Sequence, residues 1–309
     1  MTTASQPNNS KPIYRGRFAP SPTGPLHFGS LFTAVASYLQ AKFNKGKWLV
    51  RIEDVDLTRI QKGASENIIK TLEKFSLFWD EDIYFQSKRY PIYNDYLNFL
   101  VENNLLYACT CTRKRIQKIA QIGKMGWIYP DTCRDLHRPI SDKTTLRLKT
   151  NEIEIKFNDG IQGLYHQILH SDIGDQVLRR ADNIISYHLA VVIDDFLQNI
   201  SEVVRGSDLL SNTPLHLILQ QHLDFPSPQY VHLPIILNKN HEKLSKQTGA
   251  HSIEHENTQF VLFQILRLLK QNPPADLVNC SNSEILDWGI KNWKIDNIKS
   301  QNISIDNTK

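Results

Sequence analysis

The stretch from Arg17 to Ser30, RFAPSPTGPLHFGS, sets three prolines, two glycines, three hydroxyl side chains and a histidine between two apolar segments. Pro20, Pro22 and Pro25 exclude both a helix and a central strand, so the segment is a stiff turn. A turn that leads from a strand into a helix can hold an anion, because the helix start offers unpaired N–H groups and a positive dipole end. Thr23 and His27 can add donors to that seat. Read alone, the same residues equally describe a proline-rich turn with a capping serine. Glu53, Asp54 and Asp56 follow the next apolar run. Carboxylates placed there can hold an ammonium, orient an arginine or serve Mg²⁺, and Asp56 reads best as a solvated turn. Lys243 and Lys246, in EKLSKQTGA, are flexible ammonium groups suited to charge developing on a polyphosphate. Three of the four cysteines, Cys109, Cys111 and Cys133, are gathered within one short span.

The elements that must position these groups follow from periodicity. IYRGRFAP (13–20) reads as a short strand that ends at the prolines. From Gly29 to Phe43, the residues Leu31, Phe32, Val35, Leu39 and Phe43 recur at helical spacing, and WLVRIED (48–54) is a second strand. Strand, turn, helix and strand form a βαβ unit, which predicts an α/β fold with a parallel sheet. Helices are expected over 61–77 and 88–104, then an inserted α+β region from Tyr107 to about Arg180. YHLAVVIDD and ISEVVRG both read as buried strands, NTPLHLILQQHL as a helix and YVHLPIIL as a strand. After the helical TQFVLFQILRLLK (258–270) the chain turns Asn-, Ser- and Lys-rich. Apart from a helix at 283–293, weak order is expected there.

Composition narrows the function classes without choosing one. The chain has 309 residues, 40% of them hydrophobic and 22% charged, with a formal net charge of +4. That balance suits a globular protein and permits a nucleic-acid partner without requiring one. No apolar run is long enough for a membrane span, and the polar first residues lack the apolar stretch of a signal peptide. The expectation is a cytoplasmic protein with reduced cysteines.

APSPTGPLHFGS, RIEDVD and KLSK, in this order and separation, resemble the class I aminoacyl-tRNA synthetases of the glutamyl branch. LHFG stands where that class has its HIGH signature and KLSKQ where it has KMSKS. Ser30 and Gln247 depart from the two patterns. The resemblance spans roughly residues 13 to 270. It implies a Rossmann-like (HUP-type) catalytic domain in two halves, 12–106 and 183–240, around a zinc-containing α+β insertion at 107–182. A region holding the KMSKS-type loop and short helices follows over 241–309.

Carried over position by position, the resemblance assigns L-glutamate to Arg17, Phe18, Ala19, Pro20 and Ser21, with Glu53 on the α-amino group. Tyr187 and Arg205 complete that pocket, and guanidinium groups suit a dicarboxylate. ATP, with Mg²⁺, falls to Thr23, His27, Gly29, Lys243 and Lys246, of which His27 and Lys246 stabilise the reacting phosphates. Cys109, Cys111, Tyr129 and Cys133 match the family's single structural zinc site, with His137 an alternative fourth ligand. Few residues follow KLSKQ, where a standard glutamyl-tRNA synthetase adds anticodon-binding domains. That pattern resembles the glutamyl-queuosine tRNA(Asp) synthetases. It implies an enzyme that activates glutamate without tRNA and transfers it to queuosine at the first anticodon position of tRNA(Asp); a monomer is expected. The alternatives are a short enzyme charging the 3′ end of tRNA(Glu) and a non-catalytic RNA-binding paralogue. RKRIQK (113–118) and Arg179–Arg180 are candidate contacts to an RNA backbone.

Overall fold

The structure, a computed structural model, describes residues 13–238, 253 and 256–304. Lys243 and Lys246 therefore lie outside the described residues, and so does the loop that carries them.

The first half begins with β1 (Arg15–Phe18), α1 (Phe28–Phe43), β2 (Lys47–Ile52), α2 (Ala64–Lys74), β3 (Tyr84–Phe85) and α3 (Tyr90–Glu102). β1, β2 and β3 are parallel neighbours, with Arg17 opposite Leu49 and Ile52 opposite Phe85. α1 buries Leu31, Phe32, Val35 and Leu39 completely or nearly so against this sheet. The inserted segment holds β4 (Leu106–Cys109), α4 (Arg113–Gln117), β5 (Ile122–Gly123), β6 (Gly126–Trp127), β7 (Thr145–Leu148), β8 (Glu154–Asp159), β9 (Gly163–Ile168), α5 (Leu169–Ile173) and β10 (Val177–Arg179). Its pairings are antiparallel throughout: β4 and β10 flank β7, β5 pairs with β6, and β8 pairs with β9.

The second half adds α6 (Tyr187–Leu197), β11 (Glu202–Gly206), α7 (Thr213–His222), β12 (Gln229–Leu233) and β13 (Ile236–Leu237). β11 lies beside β1, where Ser201 N donates to Arg15 O at 2.9 Å, and pairs in parallel with β12. α8 (Thr258–Leu268), α9 (Asn282–Asn292) and β14 (Ile303–Ser304) finish the described chain. The fold is thus α/β, a parallel sheet interrupted by an antiparallel α+β insertion.

Two expectations are overturned. YHLAVVIDD is not a strand but the helix α6, started by Ser186, whose hydroxyl accepts from Leu189 N. Residues 189–195 are all buried, so the helix has no polar face along that stretch, and the run of Val and Ile imitates a strand. The described residues from 272 to 304 are also not weakly ordered. Leu277, Ile285, Leu286, Trp293 and Ile298 join the core around α1, and Ile303 pairs with Ile236. Gly289 makes this packing possible, since a Cβ there would stand 3.0 Å from Leu39 Cδ2 and 3.2 Å from Leu266 Cδ2. Sparse apolar residues in a polar composition were enough, because nearly every one is spent on the interface.

Candidate active site

A cavity of about 950 Å³ opens beyond the carboxyl ends of β1, β2 and β11. This is where an open parallel sheet collects ligands. β1 delivers Arg17 and Phe18 to it, the proline turn delivers Ala19, Pro20, Ser21 and Thr23, and the start of α1 delivers His27 and Gly29. Glu53 enters from the end of β2, Tyr187 and His188 from the start of α6, and Arg205 from β11. All the described residues assigned to glutamate or ATP thus line one cavity. The turn is pinned from below: Glu53 N donates to Pro20 O and Gln61 N to Pro22 O, both at 3.0 Å.

His27 caps α1. Its Nδ1 accepts from Ser30 N at 3.3 Å, which leaves the proton on Nε2, 3.0 Å from Ser30 Oγ. Ser30, a departure from the class signature, is thus the hydroxyl that holds the ring.

The two arginines of the site differ in their partners. Arg17 is 3% exposed and committed to Asp195, with Nε 3.1 Å from Oδ1 and Nη2 3.3 Å from Oδ2. Asp195 is shared with Arg51, whose Nη1 stands 2.8 Å from Oδ1, and Arg51 Nη2 reaches Glu53 at 3.3 Å. Burial pushes Asp195 up, but the two guanidinium charges hold it below the usual carboxylate range. Glu53 goes the other way, because burial outweighs Arg51 and Arg17 and raises it to about 7. Arg205, 4% exposed, has no carboxylate within ion-pair distance among the described residues. Its donors meet His232 Nε2 (3.0 Å), Thr213 Oγ1 (2.9 Å), Leu209 O (3.3 Å), Tyr187 Oη (3.4 Å) and His216 Nδ1 (3.4 Å). His216 Nε2 lies 3.1 Å from His188 Nδ1. Burial pushes the Tyr187 phenol up, and the Glu53 charge adds to this.

Asp195, Arg51, His188, His216 and His232 escaped the sequence reading. The adjacent acids in AVVIDD were the available signal, because two carboxylates closing an apolar run need buried cations. Asp54 and Asp56 are structural. Asp54 accepts from Ser87 N and Oγ, both at 2.7 Å, and Asp56 caps the turn at 57–59 and pairs with Arg180 at 3.0 Å. Arg179 donates to Ser141 O, so neither arginine of that pair is without an internal partner.

In the insertion, Cys109, Cys111 and Cys133 bring their sulfurs within 4.8 Å of one another. The Tyr129 hydroxyl is 3.2 Å from Cys109 Sγ and 3.5 Å from Cys111 Sγ, and Cys111 and Cys133 sulfurs are 3.6 Å apart. Burial raises Cys133, yet hydrogen bonds from Tyr129 and the Thr110 backbone hold its thiol at about 6. Three sulfurs and one oxygen converging in a buried pocket fit a tetrahedral zinc shell. His137 is exposed and stands outside this grouping, whereas the Tyr129 hydroxyl lies beside the sulfurs. In a second grouping, Asp131, His170 and Asp175, Asp175 accepts from Arg134, Thr150 and Tyr107, and Asp131 Oδ2 pairs with His170 Nε2 at 3.0 Å.

The family model for the catalytic domain of class I tRNA synthetases (E and Q) matches residues 14–295. The chain belongs to the class I aminoacyl-tRNA synthetases of the glutamyl and glutaminyl branch. It is 44% identical over 297 residues to a glutamyl-Q tRNA(Asp) synthetase of Neisseria meningitidis serogroup A, covering 94% of this chain and 99% of that protein. A glutamyl-Q tRNA(Asp) synthetase of Pseudomonas aeruginosa is 43% identical over 280 residues, which cover 91% of this chain and 93% of the other. Among solved structures, glutamate-tRNA synthetase from Elizabethkingia anophelis superposes with a TM-score of 0.80 at 26% identity. The match covers 95% of this chain and 68% of that one. Among the described residues no helix is long and apolar enough to cross a membrane.

Proposed function

We propose that the protein activates L-glutamate with ATP, forming glutamyl-adenylate without tRNA. It then transfers the glutamyl group to queuosine at the first anticodon position of tRNA(Asp). The observation that carries the glutamate reading is Arg205, a buried guanidinium held, among the described residues, by neutral acceptors. A buried charge without a counter-ion is costly, and a substrate carboxylate supplies the missing partner. The acceptor reading rests on similarity: identity is 44% to a relative named for that reaction against 26% to a glutamate-tRNA synthetase.

In this reading the side-chain carboxylate lies on Arg205 and the protonated Tyr187 hydroxyl, while the α-ammonium lies on Glu53. Arg17 acts from behind, its guanidinium shared with Asp195, and Phe18 to Ser21 form the floor. The α-carboxylate is left facing the ATP seat at Thr23, His27 and Gly29. One of its oxygens attacks the α-phosphorus, the bond to the β-phosphate oxygen breaks, and pyrophosphate leaves with its magnesium. The chain contributes positioning and charge, so no side-chain nucleophile is needed. Lys243 and Lys246 complete the phosphate contacts. Cys109, Cys111, Cys133 and Tyr129 would hold one structural zinc ion, which would tie the insertion together. We take the protein to be a cytoplasmic monomer.

Glutamate-dependent exchange of label between pyrophosphate and ATP, without tRNA, tests the first step; no exchange refutes it. Transfer of labelled glutamate to queuosine-containing tRNA(Asp), but not to queuosine-free tRNA(Asp) or tRNA(Glu), tests the second. Charging of tRNA(Glu) instead would make the protein a short glutamyl-tRNA synthetase.

A further inference from the structure

Asp159 ends β8 at the tip of the inserted β8–β9 hairpin, yet it is buried against the catalytic half. Gly160 N donates to Tyr230 O at 2.9 Å, and a Cβ on Gly160 would meet Val231 Cγ2 at 2.8 Å, so the tip lies flat on β12. Oδ1 of Asp159 accepts three backbone N–H groups, from Ile161 (3.0 Å), Gln162 (2.9 Å) and His232 (3.0 Å). Oδ2 stands 2.5 Å from His232 Nδ1. On the far side of the same ring, Nε2 stands 3.0 Å from Arg205 Nε.

A guanidinium can only donate, so His232 Nε2 must accept. The proton of a neutral imidazole then sits on Nδ1, where Asp159 takes it. Burial favours that neutral ring, pushing His232 down to about 4. The line runs from a carboxylate on the insertion, through a fully buried imidazole, to the guanidinium at the cavity wall. A carboxylate in direct contact with Arg205 would orient it equally well, but would also neutralise it. An intervening neutral ring orients the group and leaves its charge for a ligand.

We propose that Asp159 and His232 form a positioning dyad that fixes the direction of the Arg205 guanidinium, and through it the recognition of the substrate's side-chain carboxylate. The proposal rests on the reading that Arg205 receives that carboxylate. Asp159→Asn offers an amide that can donate to Nδ1, which moves the imidazole proton to Nε2. Two donors then face each other across the His232–Arg205 contact, and the guanidinium must turn away. His232→Gln removes the tautomer altogether, because its carbonyl oxygen can accept from Arg205 whatever occupies position 159.

The test is glutamate-dependent ATP–pyrophosphate exchange with the full-length protein, comparing Asp159→Asn, His232→Gln and the double variant. Asp159→Asn is expected to raise the glutamate KM about tenfold or more, with kcat and the ATP KM changed far less. The double variant recovers most of that loss. An unchanged glutamate KM in Asp159→Asn, or a double variant no better than the single one, overturns the dyad. Absence of glutamate-dependent exchange in the unaltered protein refutes the glutamate reading instead. A second measurement stands apart from activity and from the folding of any variant. Nitrogen NMR of histidine-labelled unaltered protein should show His232 neutral with its proton on Nδ1. A proton on Nε2, or a doubly protonated ring, overturns the proposal.

Discussion

Arg17 grips the Asp195 carboxylate side-on, Nε to Oδ1 at 3.1 Å and Nη2 to Oδ2 at 3.3 Å, from the middle of a β-strand to the last turn of a helix that lies far along the chain. Arg51 closes on the same carboxylate from β2. Three charged groups are therefore buried together under the floor of the cavity. Removing the shared anion by Asp195→Ala leaves two guanidinium groups buried without it, at a cost of about 3–5 kcal/mol of folding stability. Denaturant unfolding measures this, and a loss below about 1 kcal/mol would mean that water replaces the carboxylate.

Arg205→Met separates binding from stability by sign. It takes away a buried charge that has no counter-ion among the described residues, so unfolding stability is expected to hold or rise. Glutamate activation is expected to collapse, by about 2–5 kcal/mol in kcat/KM. Exchange kinetics and thermal unfolding on the same sample check both halves. A parallel fall in stability would assign Arg205 to the scaffold rather than the pocket.

Glu53 sets a pH limit. Its carboxyl is raised to about 7, chiefly by burial, and only the ionised form can pair with an ammonium. As pH falls through about 7 the group takes up a proton, so exchange at subsaturating glutamate should fall with it. At saturating glutamate the bound ammonium lowers the Glu53 pKa, and the fall moves to lower pH. Glu53→Gln should be slow and flat across the same range. A profile in the variant that still follows the unaltered protein would place the titration elsewhere.

Strong chelation at neutral pH is expected to release one zinc per chain and to lower the unfolding temperature. Cys133→Ser should reduce metal content to a small fraction. Elemental analysis with thermal unfolding measures both. Full metal content in the Cys133→Ser protein would exclude this cysteine as a ligand.

Trp293 lies 3% exposed in the core, with Nε1 donating to Gln40 Oε1 at 2.6 Å. Trp293→Ala is expected to cost about 3–5 kcal/mol, which denaturant unfolding reads directly. An effect under about 1 kcal/mol would return the last described segment to the marginal role its composition suggests.

The parallel sheet, the turn at residues 17–30, Glu53 and the cysteine cluster were all legible in the sequence, because each is a local pattern. Proline density, helical spacing after Gly29, a carboxylate at a strand end and a Cys-x-Cys pair need no partner elsewhere to be recognised. α6 was not legible. Its acidic groups, Asp194 and Asp195, are masked by burial, and Arg17, Arg51 and Arg89, with Gln86 and Tyr93, explain them from other elements. The residues beyond 271 failed for a related reason, since composition does not report how completely a few apolar side chains are used.

The sequence by itself therefore determined which reactive groups this protein owns and the order in which they arrive at the sheet edge. Tertiary structure alone decided their states. It gave Arg17 an acidic partner and Arg205 none among the described residues, it raised Glu53 by burial, and it put His232 between Asp159 and Arg205. Those outcomes depend on distance and desolvation between residues remote in sequence, and no local pattern encodes either.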